Sequence, residues 1–409
     1  MRIQTCRSCG AKDFSSVLDL GNQPLANRLP VRAQEDQARH RLHLVQCGVC
    51  RLVQIDETVD PELLFSEYNY FSSYADTMLE HARDLVLRLC AEERLGREDL
   101  VVELASNDGY LLRNYVERAI PVLGVEPAAN VAEVARARGI DTTVAFFGKA
   151  EGRRIRDERG PARVIHAHNV LAHVADPNDF VSGIGALLAR DGLAILEFPY
   201  LTDMIEGVAF DTIYHEHLAY FSLHSVSWLF ERHDLQIVDV ERVAIHGGSL
   251  RIFVRHRGVE SPGPSVARLL GEEDREGRAL DRFADVVSAS IHDLVDFVDR
   301  RRAEGARLAG YGAAAKAAVL LNAAGLDASA FDFVADRSPH KQGRFIPGTG
   351  IPIVAASALA ERSPDYCVLF AWNFAEEIRE QQASFESAGG RFVLPLPRVS
   401  ILEPRGAAA

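Results

Sequence analysis

Hydrophobic and polar positions along this chain of 409 residues fall into two repeating arrangements. The stretch "DLVVELASNDGYLLRNYV" (99–116) opens with an apolar, β-branched run. It predicts a strand ending at Glu103-Leu104-Ala105, a small polar turn from Ser106 to Gly109, and an amphipathic helix from Leu111 to Val116. The next apolar run, "PVLGVEP", predicts a second strand ending in Glu126. "DTTVAFF", "ARVIHAHNVLAHV" and "GLAILEFPY" read as further strands. Strands alternating with helices predict a parallel sheet wound on both faces. The pattern starts again at about residue 306. A short strand ends at Tyr311-Gly312, an alanine-rich helix follows, and "DFVADRSP", "PIVAA", "DYCVLFAWN" and "RFVLPLP" add strands. A helical stretch (267–298) bridges the two units, and "LDLGNQPLANRLP" near the N-terminus reads as strand and loop.

Composition narrows the function classes. Hydrophobic residues make up 47% and charged residues 25%, as in an ordinary globular protein. A net charge of −13 argues against a nucleic-acid backbone as partner. The N-terminus "MRIQTCRSCG" lacks the apolar core of a signal peptide, and no window reaches the roughly 18 apolar residues of a membrane span. A cytoplasmic location is expected. There, six cysteines read as ligands or core residues rather than disulfides.

Four of them form two C-x-x-C pairs, Cys6/Cys9 and Cys47/Cys50. Two knuckles aiming four thiolates at one tetrahedral ion suit zinc. A four-thiolate shell leaves no open position, so the zinc is expected to be structural. Cys90 and Cys367 lie in apolar runs and read as core.

The turn after the first central strand suits a nucleoside ligand. Glu126, at the tip of the second strand, is placed to accept hydrogen bonds from a ribose diol. A dinucleotide loop would need G-x-G-x-x-G, but Gly109 is the one glycine here, and Asp108 and Glu103 would repel a pyrophosphate. Acid-rich loops suit a ligand with a positive end, such as the sulfonium and amino group of S-adenosylmethionine.

"TIYHEHLAYFS" (212–222) concentrates proton-transfer groups. Tyr214, His215, Glu216 and His217 could make a metal site, a solvated loop or a general-base cluster. His166 and His168 share one strand face by their spacing and read as lining or core residues.

These motifs, with "EYNYFSSYADTM", "ELASNDGYLL", "GVEPAANVA", "NVLAHVAD", "HGGSLR", "GYGAAAKAAVLLN", "DRSPHKQGRFIPGTGIPI" and "AWNFAEEI" in order, span nearly the whole chain. The chain resembles the S-adenosylmethionine-dependent sugar C-methyltransferases of deoxysugar biosynthesis, which act on nucleotide-linked 4-keto sugars. The resemblance implies an α/β fold with four parts. These are a small zinc-binding domain over 1–66, a Rossmann-like class I methyltransferase domain over 67–256, a helical connection over 257–305, and a smaller Rossmann-like domain over 306–409 that holds the nucleotide of the sugar. It implies S-adenosylmethionine and structural Zn²⁺ as cofactors and a dTDP-linked keto-deoxysugar as partner; no nucleic acid, no membrane and a monomer are the expectations beside it.

The resemblance also assigns roles. Methylating carbon requires an enolate, hence a base and donors for the oxyanion. His217 is expected as the base. Glu216 is its partner or the base itself, and Tyr214, His173 and Tyr68 surround the enolate oxygen, with Tyr70 as second choice to Tyr68. If the segment is extended, His215 points the other way. Glu103, Ala105, Ser106, Asn107, Glu126, Pro127, Phe146 and Asn169 are expected around the cofactor. Ala105 stands where many methyltransferases carry glycine. Tyr70, His246, Lys316, Lys341 and Arg344 are expected on the substrate, the cations neutralising its diphosphate. C-3 is the expected carbon and C-5 its rival. Sugar O- or N-methylation, or a zinc-ribbon binding module without activity, are the competing functions.

Overall fold

The computed structural model of the chain describes residues 1–60, 73, 76–276 and 279–405. Tyr68 and Tyr70 lie outside the described residues, as does the side chain of His246. Three sheets organise the chain.

The central sheet contains β4 (Val101–Leu104), β5 (Val122–Val125), β6 (Thr142–Thr143), β7 (Ala162–His168), β8 (Leu188–Pro199), β10 (Leu235–Val243) and β11 (Ser249–His256). Their order is β10-β11-β8-β7-β4-β5-β6. The strands from β4 to β8 run parallel, and β11 is antiparallel to both its neighbours. Every residue of β4 is buried, as expected of a strand covered on both faces. Alternate residues serve different cores. Val102 and Leu104 join the cluster with Ile165, Ala167, Leu196 and Phe198, while Val101 joins Val164, Ile195 and Phe253 on the other face. The run expected as a strand over 141–147 pairs only at Thr142–Thr143, and the rest turns out at the carboxyl edge.

The C-terminal sheet is built from β12 (Leu308–Tyr311), β13 (Val334–Asp336), β14 (Ile353–Ala355), β15 (Tyr366–Leu369), β16 (Arg391–Leu394) and β17 (Ser400–Ile401). Its order is β14-β13-β12-β15-β16-β17, parallel except at β17. Helices Pro264–Glu276 and Phe283–Ala303 form the bridge between the sheets.

The N-terminal sheet is antiparallel: β1 (Phe14–Pro24), β2 (Arg39–Cys47) and β3 (Val53–Ile55). Its fourth strand, β9 (Ala219–Tyr220), comes from the middle of the chain, with Val53 opposite Tyr220 and Gln54 opposite Ala219. One continuous apolar core explains why this holds. Leu42, Leu44 and Ile55 of the N-terminal sheet pack with Phe210, Ile213 and Tyr220, and with Phe283, Phe331 and Phe370 on the C-terminal side. Burying that surface is the main force drawing the N- and C-terminal units together. Among the described residues, no helix is long and apolar enough to cross a membrane.

Candidate active site and zinc centre

The Sγ atoms of Cys6, Cys9, Cys47 and Cys50 all lie within 4.8 Å of one another. Cys6 and Cys50 are 3.5 Å apart, as are Cys9 and Cys47. A tetrahedral ion bound at about 2.3 Å has sulfur–sulfur edges of about 3.8 Å, so the four thiols fit zinc. The Gln54 amide donates to Cys6 Sγ at 3.2 Å, and the Val49 N–H to Cys47 Sγ at 3.4 Å. The hydrogen bond with Cys50 pulls the Cys6 thiol down to about 4, while Cys50 is pushed up. Zinc takes thiolates, so an ion bound here displaces the thiol protons. Among the described residues this is the one group with metal-ligand geometry, which removes the metal reading of His215-Glu216-His217.

At the carboxyl edge of the central sheet, the turn after β4 is tightly wound. Ala105, Asn107 and Gly109 all have positive φ, at 53°, 50° and 78°. For Ala105 this is a strained conformation that glycine would adopt freely, and such strain collects at binding sites. Glu126 follows β5 and accepts from the Asn107 N–H and the Ala128 N–H, each at 2.9 Å. Glu103 is 1% exposed, and its Oε2 meets no partner among the described residues. Burial, then the nearby Glu126 and Asp108, push Glu103 well above the carboxylate range. The Ser106 hydroxyl is likewise buried without a described partner. Buried acceptors left open in this way suit a ligand carrying N–H donors or positive charge. Asp108 is engaged elsewhere, by Arg138 at 2.9 Å. Pro127 follows Glu126, Phe146 stands 71% exposed in the loop after β6, and Asn169 (φ 54°) caps β7, all on the same edge.

Beneath this edge runs a buried polar row. His166 accompanies Glu103 across the sheet, bonds to the Tyr115 hydroxyl at 2.9 Å, and meets His168 at 3.0 Å. His168 stands 3.7 Å from Glu197, which also binds His81 at 3.0 Å and Arg251 at 2.9 Å. Burial opposes the charge of Glu197, but bonds from His168 and His81 hold it well below the usual carboxylate range. The row ties the helix Asp76–Glu92, which carries His81, to the sheet.

The Tyr-His-Glu-His segment is a turn rather than an extended stretch. The His217 N–H donates to the Tyr214 carbonyl at 2.9 Å. Residues at the two ends of such a turn face one another, and the Tyr214 hydroxyl lies 2.8 Å from His217 Nε2. His217 Nδ1 lies 2.9 Å from the Thr212 carbonyl. A carbonyl only accepts, so Nδ1 carries the proton and the Nε2 lone pair receives the Tyr214 O–H. The His173 ring packs edge-on against His217 at 4.7 Å. Burial holds His173 below its ordinary value. Glu216 is 6% exposed and accepts from Asn27 Nδ2 at 2.7 Å. Burial raises it to about 7, against the pull of that bond. His215 does point away, but because it occupies a turn corner, where it meets the His40 carbonyl at 3.2 Å.

All three units hold this turn. The Leu218 N–H donates to the Ala172 carbonyl of the central domain at 2.7 Å. From the C-terminal unit, Trp372 Nε1 donates to Asp211 at 2.8 Å. Burial lifts Asp211 to about 6, with Lys316 opposing. Lys316 lies 4.0 Å over the Trp372 ring and donates to Asn373 at 2.9 Å. A side chain at Gly247, beside His246, would come within 2.7 Å of the same ring. Lys341 donates to the Ala313 carbonyl at 2.8 Å, also at the end of β12, whereas Arg344 donates to Leu29 of the N-terminal unit at 3.3 Å.

Family models agree with this layout. One described as a zinc binding domain matches residues 6–65, a methyltransferase domain matches 74–240, and a C-methyltransferase C-terminal domain matches 244–397. C-methyltransferase NovU of Streptomyces niveus is 39% identical over 414 residues, spanning 98% of this chain and 97% of that protein. The chain belongs to the C-methyltransferase family.

Solved structures similar to this C-methyltransferase include magnesium protoporphyrin IX methyltransferase from Synechocystis PCC 6803 with bound S-adenosylmethionine. It is 12% identical, with 44% of this chain and 79% of that chain covered and a TM-score of 0.34. A methyltransferase from Clostridium acetobutylicum ATCC 824 is 14% identical, with 48% and 96% covered and a TM-score of 0.36. S-adenosylmethionine is the methyl donor of this C-methyltransferase, and the four-cysteine cluster is its zinc-binding group. Sequence reading missed Asn27, Asp211, Trp372 and Glu197. Asn27 had one local signal, a polar residue directly after the apolar Pro-Leu-Ala of "QPLAN".

Proposed function

We propose that this enzyme methylates carbon next to the ketone of a dTDP-linked 4-keto deoxysugar, at C-3, through an enolate. The observation that carries the reading is the His217 tautomer. With Nδ1–H held by Thr212, the basic lone pair sits on Nε2 against the Tyr214 hydroxyl. When a ketone enters, Tyr214 turns its O–H to the ketone oxygen and frees Nε2. His217 then removes the proton from the neighbouring carbon. The C–H electron pair moves into the enolate, and Tyr214, with His173 beside it, stabilises the oxyanion. Glu216, ionised, balances the imidazolium. S-adenosylmethionine supplies an electrophilic methyl group to the enolate carbon. Glu126 accepts from its ribose, Ala105 to Asn107 with Glu103 line its amino-acid end, and Pro127, Phe146 and Asn169 flank it. Lys316, Lys341 and the loop of His246 face the nucleotide sugar, with Arg344 bracing the N-terminal loop against it. Tyr68, the expected fifth active-site residue, and Tyr70 belong to the segment outside the described residues.

Incubating enzyme and dTDP-4-keto sugar in deuterated water without the methyl donor tests the proposal. Deuterium entering beside the ketone, and product NMR placing the methyl on C-3, are the expected results. No exchange, with methyl on oxygen or nitrogen, overturns the reading. Exchange with methyl at C-5 overturns only the position.

A further inference from the structure

The loop between β1 and β2 ends its first turn at Asn27, 189 residues from Glu216 in sequence and 2.7 Å from it in space. Asn27 is exposed, while the carboxylate it reaches is buried. An amide that stabilised only its own loop would have no reason to face a carboxylate in the turn that carries the base. The loop is fixed on both sides. Leu25 and Ala26 are buried immediately before Asn27, with Ala26 in the core shared by the N- and C-terminal units. After it, Pro30 accepts from the Phe345 N–H at 3.0 Å, and Gln37 accepts from the Gly348 N–H at 2.7 Å. The tip of the loop is therefore held to the C-terminal unit while its amide reaches the central turn.

We propose that Asn27 is a positioning residue of the methyl-transfer site, through which the zinc-binding domain orients the Glu216 carboxylate and keeps it ionised. The inference rests on the role given to Glu216 above. An N–H donor on a buried carboxylate favours its charged form, and here it acts against desolvation. The other titratable groups around the turn are His173 from the loop after β7, His217 and Tyr214 on the turn itself, and His215, which is directed towards His40. Among the described residues, Asn27 is the donor to the Glu216 carboxylate from outside the turn.

The experiment compares N27A, N27D and E216Q with the parent enzyme, following kcat and both KM values from about pH 5.5 to 9. Zinc content and donor affinity are measured on each. N27D is nearly isosteric, so the pH profile can be read even where N27A accumulates poorly. Expected are a drop in kcat of about tenfold for N27A at neutral pH and an acid limb moved up by about one pH unit. The limb should move further in N27D, where a second carboxylate faces Glu216. Zinc content and donor affinity should stay at parental values. If N27A and N27D keep the parental acid limb while E216Q loses it, Asn27 is only a structural contact and the inference fails alone. If E216Q itself turns over normally, the role of Glu216 fails and the inference fails with it.

Discussion

The Tyr214 hydroxyl stands 2.8 Å from Nε2 of His217, at opposite ends of one β-turn. The other ring nitrogen, Nδ1, is fixed by the Thr212 carbonyl at 2.9 Å. Histidine and phenol are thus held as acceptor and donor within one turn, and in the proposed reaction that bond opens to free Nε2. H217N should cut kcat by about 10²–10⁴-fold, the usual contribution of a general base, with donor affinity unchanged. Y214F should slow deuterium exchange and methyl transfer together. Rapid kinetics with isothermal calorimetry for the donor checks both. Near-parental exchange in H217N would move the base to Glu216.

Glu216 gives a pH signature of two signs. Its pKa rises from 4.5 to about 7 on folding. Activity that needs the carboxylate should therefore climb through about pH 7, and E216Q should lose that limb. Stability should run the other way. Between about pH 4.5 and 7 the folded chain binds a proton that the unfolded chain has released, so stability falls as pH rises through that window. The loss is on the order of 3 kcal/mol above it. Thermal unfolding of E216Q at about pH 8 should show a more stable protein than the parent. An E216Q protein less stable than the parent at that pH would contradict this.

Glu126 organises the cofactor turn as well as facing it, since one of its oxygens holds the Asn107 N–H. E126A should weaken S-adenosylmethionine binding by about 10–100-fold, the value of one or two hydrogen bonds to a charged group. E126Q should lose less, because one acceptor remains. Calorimetric titration separates the variants, and unchanged affinity in E126A would place the ribose elsewhere.

Removing zinc should reach further than the knuckles. Gln54 bonds to Cys6 and also sits opposite Ala219 in the sheet, two residues from His217. C47S should lower the unfolding temperature and release the metal, because binding free energy at such sites is folding free energy. Inductively coupled plasma analysis with thermal scans checks the pair. A fully folded, metal-free C47S would contradict the structural role.

Trp372 couples the C-terminal unit to the turn through Asp211. W372F removes the indole donor to the buried Asp211 carboxylate, at a cost of about 1–3 kcal/mol. The KM for the nucleotide sugar should rise and donor affinity should hold. Equal changes in both would make Trp372 a general stabiliser.

Local chemistry in the sequence sufficed for some of this. Two C-x-x-C pairs can converge on little but one ion, and Glu126 at a strand tip follows from βαβ geometry alone. Whether 214–217 is extended or turned was not legible, because a turn with bulky polar residues and no Gly, Pro or Asn carries no turn signal. Glu103 and Glu197 fall on one sheet face by a register set by long-range pairing, and Arg251 reaches that face from a strand running the other way. Asn27 met Glu216 through tertiary packing between segments 189 residues apart, which no periodicity encodes. The cations were legible as cations, but not their partners. Arg344 reads as a phosphate ligand, and the sequence gives no hint that one of its N–H groups also reaches the Leu29 carbonyl.

The two-residue strand β9 carries a practical lesson for anyone recombining such enzymes. The N-terminal sheet is finished by Ala219 and Tyr220, so it stays an open edge on the ribosome until more than half of the polypeptide has been made. A chimera joined between the first and second units would graft a sheet without its closing strand. Swaps that carry the segment around Thr212–Ser222 together with the amino-terminal unit should give soluble hybrids more often than swaps at the linear boundary.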